Sequence, residues 1–339
     1  MRQVWIPKTG GPEVLEVREA PDPAPQPGEV RIQVARAGVN FADIMARLGL
    51  YPDAPKLPCV VGYEVSGTID AVGAGVAPGR VGTQVLAFTR FGGYSSVLCV
   101  PERQAITLPA GMTLDEAAAL PVTYITAYQL LVANGAPAPG DKVLIHQAAG
   151  GVGLAAIDLC RILGVETFGT ASGGKHAFLR ERGLDHPIDY TQTDFAAEVK
   201  RLTNGRGVNL ILDPVGGESW AKGWEILAPT GRLMMFGFSS MAQKERSLRR
   251  VIESLLQTPW FKFNPLNLMN ANKGIIGVNV GHLWHEMELL RGWMERILAW
   301  YAEGKIPPHV DRVFPFAEAG AAHAYIQDRK NVGKVLLRP

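Results

Sequence analysis

Residues 141–153 read DKVLIHQAAGGVG, and the fold turns on this stretch. An acid–lysine turn leads into a short run rich in β-branched residues, Val143 to Ile145. Gly150, Gly151 and Gly153 then open an apolar helix expected over 152–163. Strand, tight glycine turn and helix, in that order, suit a dinucleotide pyrophosphate. Small residues admit the phosphates close to the backbone, and unpaired N–H groups at the helix N-terminus carry partial positive charge. The first position of the usual G-x-G-x-x-G is Ala148 here, so the placement between strand and helix carries the reading. Ala149, Gly150, Gly151 and Val152 are the candidate cofactor-binding residues of this turn.

Outward from that turn, the chain changes character near residue 121. Before it, short alternating runs such as VRIQVARAGV (30–39) and GTQVLAF (82–88) are punctuated by Pro and Gly, which predicts a β-rich, partly closed barrel. After it, strands are expected at 143–146, 165–170, 208–213, 231–237 and 275–280. Helices are expected near 123–134, 152–163, 174–183, 194–203 and 218–227. That alternation is the pattern of an α/β, doubly wound parallel sheet. A helix around 285–303, a proline-marked loop and the final strand GKVLLRP return to the first domain. Residues 241–272 fit neither pattern: a helix with Lys244, Arg246, Arg249 and Arg250 precedes the aromatic stretch TPWFKF. This insertion is expected near the mouth of the cleft, with a subunit contact or a solvated face as the alternative.

Composition bounds the function. A length of 339 residues allows two domains, each with its own core. Thirty-four basic against 32 acidic residues give no excess charge for nucleic acid. Cys59, Cys99 and Cys160 lie far apart with no CxxC pair, which points to a reducing compartment. No signal-peptide run opens the chain, and no apolar stretch is long enough to span a bilayer. The expected location is cytoplasmic.

The ordered motifs GVNFADIMARLGLYP, VGYEVSGTIDAVGAGV, HQAAGGVG, DPVGG and GKVLL resemble the medium-chain dehydrogenase/reductase superfamily over essentially the whole chain. Within it the sequence is similar to the zinc-free quinone oxidoreductase branch that includes ζ-crystallin, and most of all to the vesicle amine transport protein group, through FGTASGGKH, HPIDY and NVGKVLL. The resemblance implies a GroES-like catalytic domain over 1–120, a Rossmann domain over 121–283 and a C-terminal return over 284–339. It also implies a homodimer.

Where the zinc enzymes of that superfamily carry metal ligands, this chain has Asn40, Tyr63 and Val122. A catalytic zinc needs three ligands of thiolate, imidazole or carboxylate type, so no zinc is expected. Alcohol oxidation relies on such a Lewis acid; hydride delivery to a quinone or an α,β-unsaturated carbonyl needs only modest hydrogen-bond donors. The resemblance sets Asn40, Tyr51 and Thr126 near the nicotinamide and substrate, as amide donor, hydroxyl donor and ribose contact. Tyr51 has a second reading as a lid or core aromatic. Asp43 and Glu64 persist without the metal, either for proton delivery or, the favoured reading, for structural pairing, with Lys334 implied as the partner of Glu64.

No acid occurs in GTASGGKH (169–176), where an NAD enzyme would carry one for the ribose. Ser172 and Lys175 are therefore the candidates for a 2′-phosphate, and NADPH is preferred with NADH possible. The resemblance adds Tyr190 beside the adenine, and Phe236, Gly237 and Val278 as further cofactor contacts. The leading expectation is an NADPH-dependent reductase of quinones or enones. One alternative is reduction of an unsaturated acyl-CoA thioester, motivated by the basic cluster at 244–250. Another is a non-catalytic lipid- or membrane-associated protein that keeps the nucleotide fold.

Overall fold

The computed structural model describes residues 1–242 and 263–339. The expected basic helix with Lys244, Arg246, Arg249 and Arg250, and most of the TPWFKF stretch, lie outside the described residues. The chain divides into two compact units, Met1–Ile125 with Gly281–Pro339, and Thr126–Val280.

The alternating runs of the first unit form, among the described residues, one seven-stranded sheet beside a two-stranded ribbon. Its order is Val310–Pro315, Lys334–Arg338, Glu29–Val39, Glu64–Val72, Gln84–Phe88 and Ala105–Thr107. Val97–Pro101 pairs with Glu29–Val39 as well. Strand Glu29–Val39 takes three partners because it is long: residues 29–33 pair with 97–101, and residues 37–39 with 335–337 along another part of its length. Val30, Ile32 and Val34 are buried while Arg31 and Gln33 are not, the period-two pattern of a half-buried strand. The antiparallel pairing of Lys334–Arg338 on Glu29–Val39 explains why the chain end returns to this unit. Among the elements here that are not expected from the sequence are the strand Val310–Pro315 and the helix Ala319–Gln327. The strand is short and carries two charged residues, Asp311 and Arg312, and the helix buries mostly alanine, so neither has a strong apolar period.

The second unit holds, among the described residues, a six-stranded sheet in which every pairing is parallel. Its order is His186–Asp189, Glu166–Ala171, Lys142–Ile145, Val208–Asp213, Leu227–Met235 and Gly274–Gly277. In chain sequence that is third, second, first, fourth, fifth, sixth, the doubly wound order. Val208–Asp213 is buried along nearly its whole length, as a central strand covered on both faces must be. Helix Gly151–Leu163 ends on Gly164 in the left-handed conformation.

Several boundaries depart from expectation. His186–Asp189 is a strand that the sequence does not predict; only four residues long and opened by His-Pro, it has no periodicity of its own and forms by pairing with Glu166–Ala171. The fifth strand starts at Leu227 rather than 231, and the sixth stops at Gly277 rather than 280. The helix expected over 123–134 is α-helical over Pro121–Tyr128 and continues as a π-helical turn, Gln129–Ala133. Among the described residues no helix is long and apolar enough to cross a membrane.

Candidate functional site

The ten candidate cofactor residues of the second unit all follow the carboxyl ends of parallel strands. Ala149–Val152 follow Lys142–Ile145, Ser172 and Lys175 follow Glu166–Ala171, and Tyr190 follows His186–Asp189. Phe236 and Gly237 follow Leu227–Met235, and Val278 follows Gly274–Gly277. The strand order reverses between Lys142–Ile145 and Val208–Asp213, and a doubly wound sheet binds its ligand at such a switch point.

The turn at the switch point is built for close approach. Gly150 stands at the N-cap of helix Gly151–Leu163 in extended conformation and, as glycine, brings no capping side chain of its own. A β-carbon at Gly153 would lie 2.4 Å from the Ala148 carbonyl oxygen, so only glycine lets the helix start this near the strand. Ala148, the departure from the usual glycine, is accommodated by its neighbour. A β-carbon at Gly169 would lie 2.8 Å from that of Ala148, and glycine at 169 leaves the methyl its space. Gln147 adopts φ 53°. Its N–H donates to Thr170 Oγ1 at 3.2 Å and its side-chain amide to Ser239 Oγ at 2.7 Å.

A polar chain that sequence reasoning missed joins the two loops flanking the switch point. Thr170 Oγ1 accepts from the Gln147 N–H and lies 3.1 Å from His146 Nδ1. His146 Nε2 lies 3.9 Å from Asp213 Oδ2, and the ring meets Phe195 edge-on at 4.6 Å. Burial pushes the imidazole pKa down, with the charge of Asp213 acting against it. Asp213 in turn accepts from the N–H groups of Val215 and Gly216 and from the Ser219 hydroxyl. That explains DPVGG: the carboxylate folds the loop over itself, and Gly216 takes φ 82° where a β-carbon would strike the Phe238 ring. The available signal was a polar residue closing an apolar strand, as in LIH and LILD.

At the neighbouring strand ends, Ser172 heads a 3-10 turn, Gly173–Lys175, without capping it through its side chain. The sequence has no acid in this loop, but the unpredicted strand supplies one. Asp189 pairs with Ala171 in register, and a β-carbon at Gly173 would lie 2.6 Å from Asp189 Oδ2.

In the first unit, Asn40 caps helix Phe41–Leu48 in a reciprocal capping box with Asp43. Its amide donates to Glu64 Oε1 at 2.9 Å and its carbonyl accepts from Lys334 Nζ at 2.7 Å. Lys334 also forms an ion pair with Glu64, and the Val122 N–H donates to Glu64 Oε2 at 2.6 Å. Asn40, Glu64 and Lys334 are all buried. One proton of the Asn40 amide is thus committed to Glu64, and the other is what it has to offer a ligand.

Asp43 is fully buried and accepts from the Asn40 N–H, the Gly62 N–H and the Tyr94 hydroxyl. Burial lifts its carboxyl to about 7 against those bonds and the charge of Lys334. Beyond Tyr94, His323 Nε2 lies 3.1 Å from the hydroxyl, its pKa pushed down to about 3 by burial and by Arg47. These contacts make Asp43 a brace for the loop that carries Asn40.

Tyr51 meets Tyr63 edge-on at 6.4 Å, and Tyr63 meets Phe91 at 5.2 Å, an aromatic wall. Burial raises the Tyr51 hydroxyl pKa, which keeps it a neutral donor. Thr126, the third candidate, opens the second unit and is buried in helix Pro121–Tyr128. Among the described residues, no three His, Cys, Asp or Glu side chains gather to hold a metal ion.

Residues 26–110 match the alcohol dehydrogenase GroES-like domain, and residues 182–337 the zinc-binding dehydrogenase family. The chain is 44% identical to the human synaptic vesicle membrane protein VAT-1 homolog, over 96% of this chain and 82% of that protein. The quinone oxidoreductase of Escherichia coli, solved in complex with NADPH, superimposes with a TM-score of 0.87 at 28% identity, covering 100% of both chains. The CurK enoyl reductase gives a TM-score of 0.83 at 30% identity, over 99% of this chain and 98% of that one.

Proposed function

This chain belongs to the medium-chain dehydrogenase/reductase family, and from that premise we propose that it is a zinc-independent, NADPH-dependent reductase of quinones or α,β-unsaturated carbonyls. The observation that carries the reading is the helix N-terminus at the switch point, opened by Gly150 and set in a turn where Gly153 admits no side chain. That cradle suits a dinucleotide pyrophosphate.

Ala149, Gly150, Gly151 and Val152 would hold the pyrophosphate, and Ser172 and Lys175 the 2′-phosphate. Tyr190 would flank the adenine, while Phe236, Gly237 and Val278 would line the nicotinamide half. NADPH, when bound, supplies the hydride. By the resemblance, the second Asn40 amide proton and the Tyr51 hydroxyl would be the donors to the substrate oxygen that gains negative charge, and Thr126 would hold the nicotinamide ribose. Each donor would contribute about 2–4 kcal/mol to that oxyanion. The buried Lys334 ammonium on the Asn40 carbonyl polarises the amide and strengthens its remaining donor. The aromatic wall of Tyr51, Tyr63 and Phe91 favours a flat acceptor.

A homodimer joined through the nucleotide-binding unit is part of this proposal. Among the described residues the sheet ends at Gly274–Gly277, an edge strand with half-buried Ile275 and Ile276, the kind of edge a second copy covers. A cytoplasmic location completes it. The likeness to the CurK enoyl reductase keeps an unsaturated acyl thioester as the second substrate class; the electronic demand is the same.

NADPH oxidation over a panel of naphthoquinones, enals and enoyl-CoA esters, with and without chelator, tests the reading. Turnover of quinones or enals, unchanged by chelator, is the expected result. Loss of activity on removal of one tightly bound zinc per chain would overturn the reading of Asn40, Tyr63 and Val122. Lys175→Ala is expected to weaken NADPH by about ten- to a hundredfold, the value of a charge-assisted phosphate contact, and to leave NADH nearly unchanged. Titration of both cofactors checks it, and equal losses would remove Lys175 from the 2′-phosphate.

A further inference from the structure

We infer that Asp189 sets the cofactor preference of this chain, by holding a fixed negative charge at the turn that receives the adenosine ribose. The inference rests on the dinucleotide reading above and runs partly against the preference drawn from Ser172 and Lys175.

A doubly wound nucleotide site that takes NADH carries its ribose-binding acid at the end of the second strand. Here the second strand, Glu166–Ala171, ends without one. The third strand lies beside it in parallel register, and its last residue, Asp189, stands level with Ala171. The carboxylate therefore enters the same loop from the adjacent strand. Its Oδ1 is engaged by Thr191, which donates from its N–H at 2.9 Å and from its hydroxyl at 2.6 Å. Its Oδ2 lies against Gly173, in the space a side chain there would fill, 2.6 Å from an ideal β-carbon. Glycine at 173 is thus what allows the carboxylate into the turn. Asp189 is only half-buried, so its charge is available to a ligand. The Thr191 bonds, with a further bond from the Gly173 N–H and the nearby His176, hold its carboxyl below the usual range. It stays ionised at neutral pH.

Two charges of opposite sign then share one loop, Lys175 and Asp189. A 2′-phosphate carries close to two negative charges at neutral pH. A carboxylate at the same turn would oppose it by an amount worth about tenfold in affinity. A free ribose hydroxyl, in contrast, finds in Asp189 an acceptor.

The test uses the adenosine halves of the two cofactors, 2′,5′-ADP and 5′-AMP, titrated into the full chain by calorimetry. Asp189→Asn removes the charge and keeps an oxygen for the Thr191 donors; Asp189→Ser removes the charge with a shorter side chain. In both variants 2′,5′-ADP is expected to bind about tenfold more tightly, while 5′-AMP is unchanged or up to about threefold weaker. Lys175→Ala should move 2′,5′-ADP in the opposite direction. Equal shifts for both probes would make Asp189 only a brace of the loop, and unchanged 2′,5′-ADP affinity would show that its charge does not reach the phosphate; either overturns the inference. Failure of both probes to bind parent and variants alike would instead overturn the dinucleotide reading on which it stands.

Discussion

Lys334→Met is expected to cost the first unit about 3–5 kcal/mol of stability, the penalty for leaving a buried carboxylate without its cation. Glu64 is fully buried, and Lys334 is its ion-pair partner. The Val122 N–H and the Asn40 amide would remain as donors, too little to solvate a full charge removed from water. Denaturant unfolding of the two forms measures the loss. The double variant Glu64→Gln/Lys334→Met should recover much of it, because a neutral amide at position 64 needs no counter-charge and still offers an oxygen to Val122. A single-variant loss below about 1 kcal/mol, in the range of a surface pair, would mean that the cluster does not depend on its charge. Turnover should fall with the single variant as well, since Lys334 fixes the carbonyl side of the Asn40 amide.

Gly153→Ala is expected to weaken NADPH by about ten- to a hundredfold. The new methyl would lie 2.4 Å from the Ala148 carbonyl oxygen and 2.6 Å from both the Ala148 carbonyl carbon and the Gln147 carbonyl oxygen. These are backbone atoms and cannot rotate away. Overpacking of this kind costs about 1–3 kcal/mol, relieved by lifting the helix off the turn whose N–H groups would hold the pyrophosphate. Gly292→Ala is the control, because its β-carbon would meet nothing within 4 Å, in helix Met287–Ala302 outside the nucleotide unit, and no loss is expected. Fluorescence titration of NADPH into both variants decides the point. Equal affinity in Gly153→Ala and the parent would separate this turn from the cofactor.

The doubly wound class and the position of its glycine turn are legible in the linear chain. Those features are local: a short apolar run, glycines at fixed offsets and a helical period each report on a few consecutive residues. The Lys142–Ile145 strand and the Gly151–Leu163 helix lie within two residues of their expected bounds. Family resemblance supplied the pairing of Glu64 with Lys334, which are 270 residues apart, a distance no local pattern spans.

Which residues meet across strands emerges only in three dimensions. His186–Asp189 is a strand because Glu166–Ala171 offers it a parallel edge, not because of its own composition. Its register then delivers Asp189 to Gly173 and puts an acid into a loop that reads as having none. Ala148 departs from the glycine pattern, yet the turn closes because Gly169 on the next strand carries no side chain. The chain from Gln147 through Thr170 to His146, with Asp213 beyond it, draws on three parallel strands and the turns that follow them. Parallel neighbours are joined by crossovers of a dozen or more residues, so the contacts that shape this site are between residues that the sequence keeps far apart.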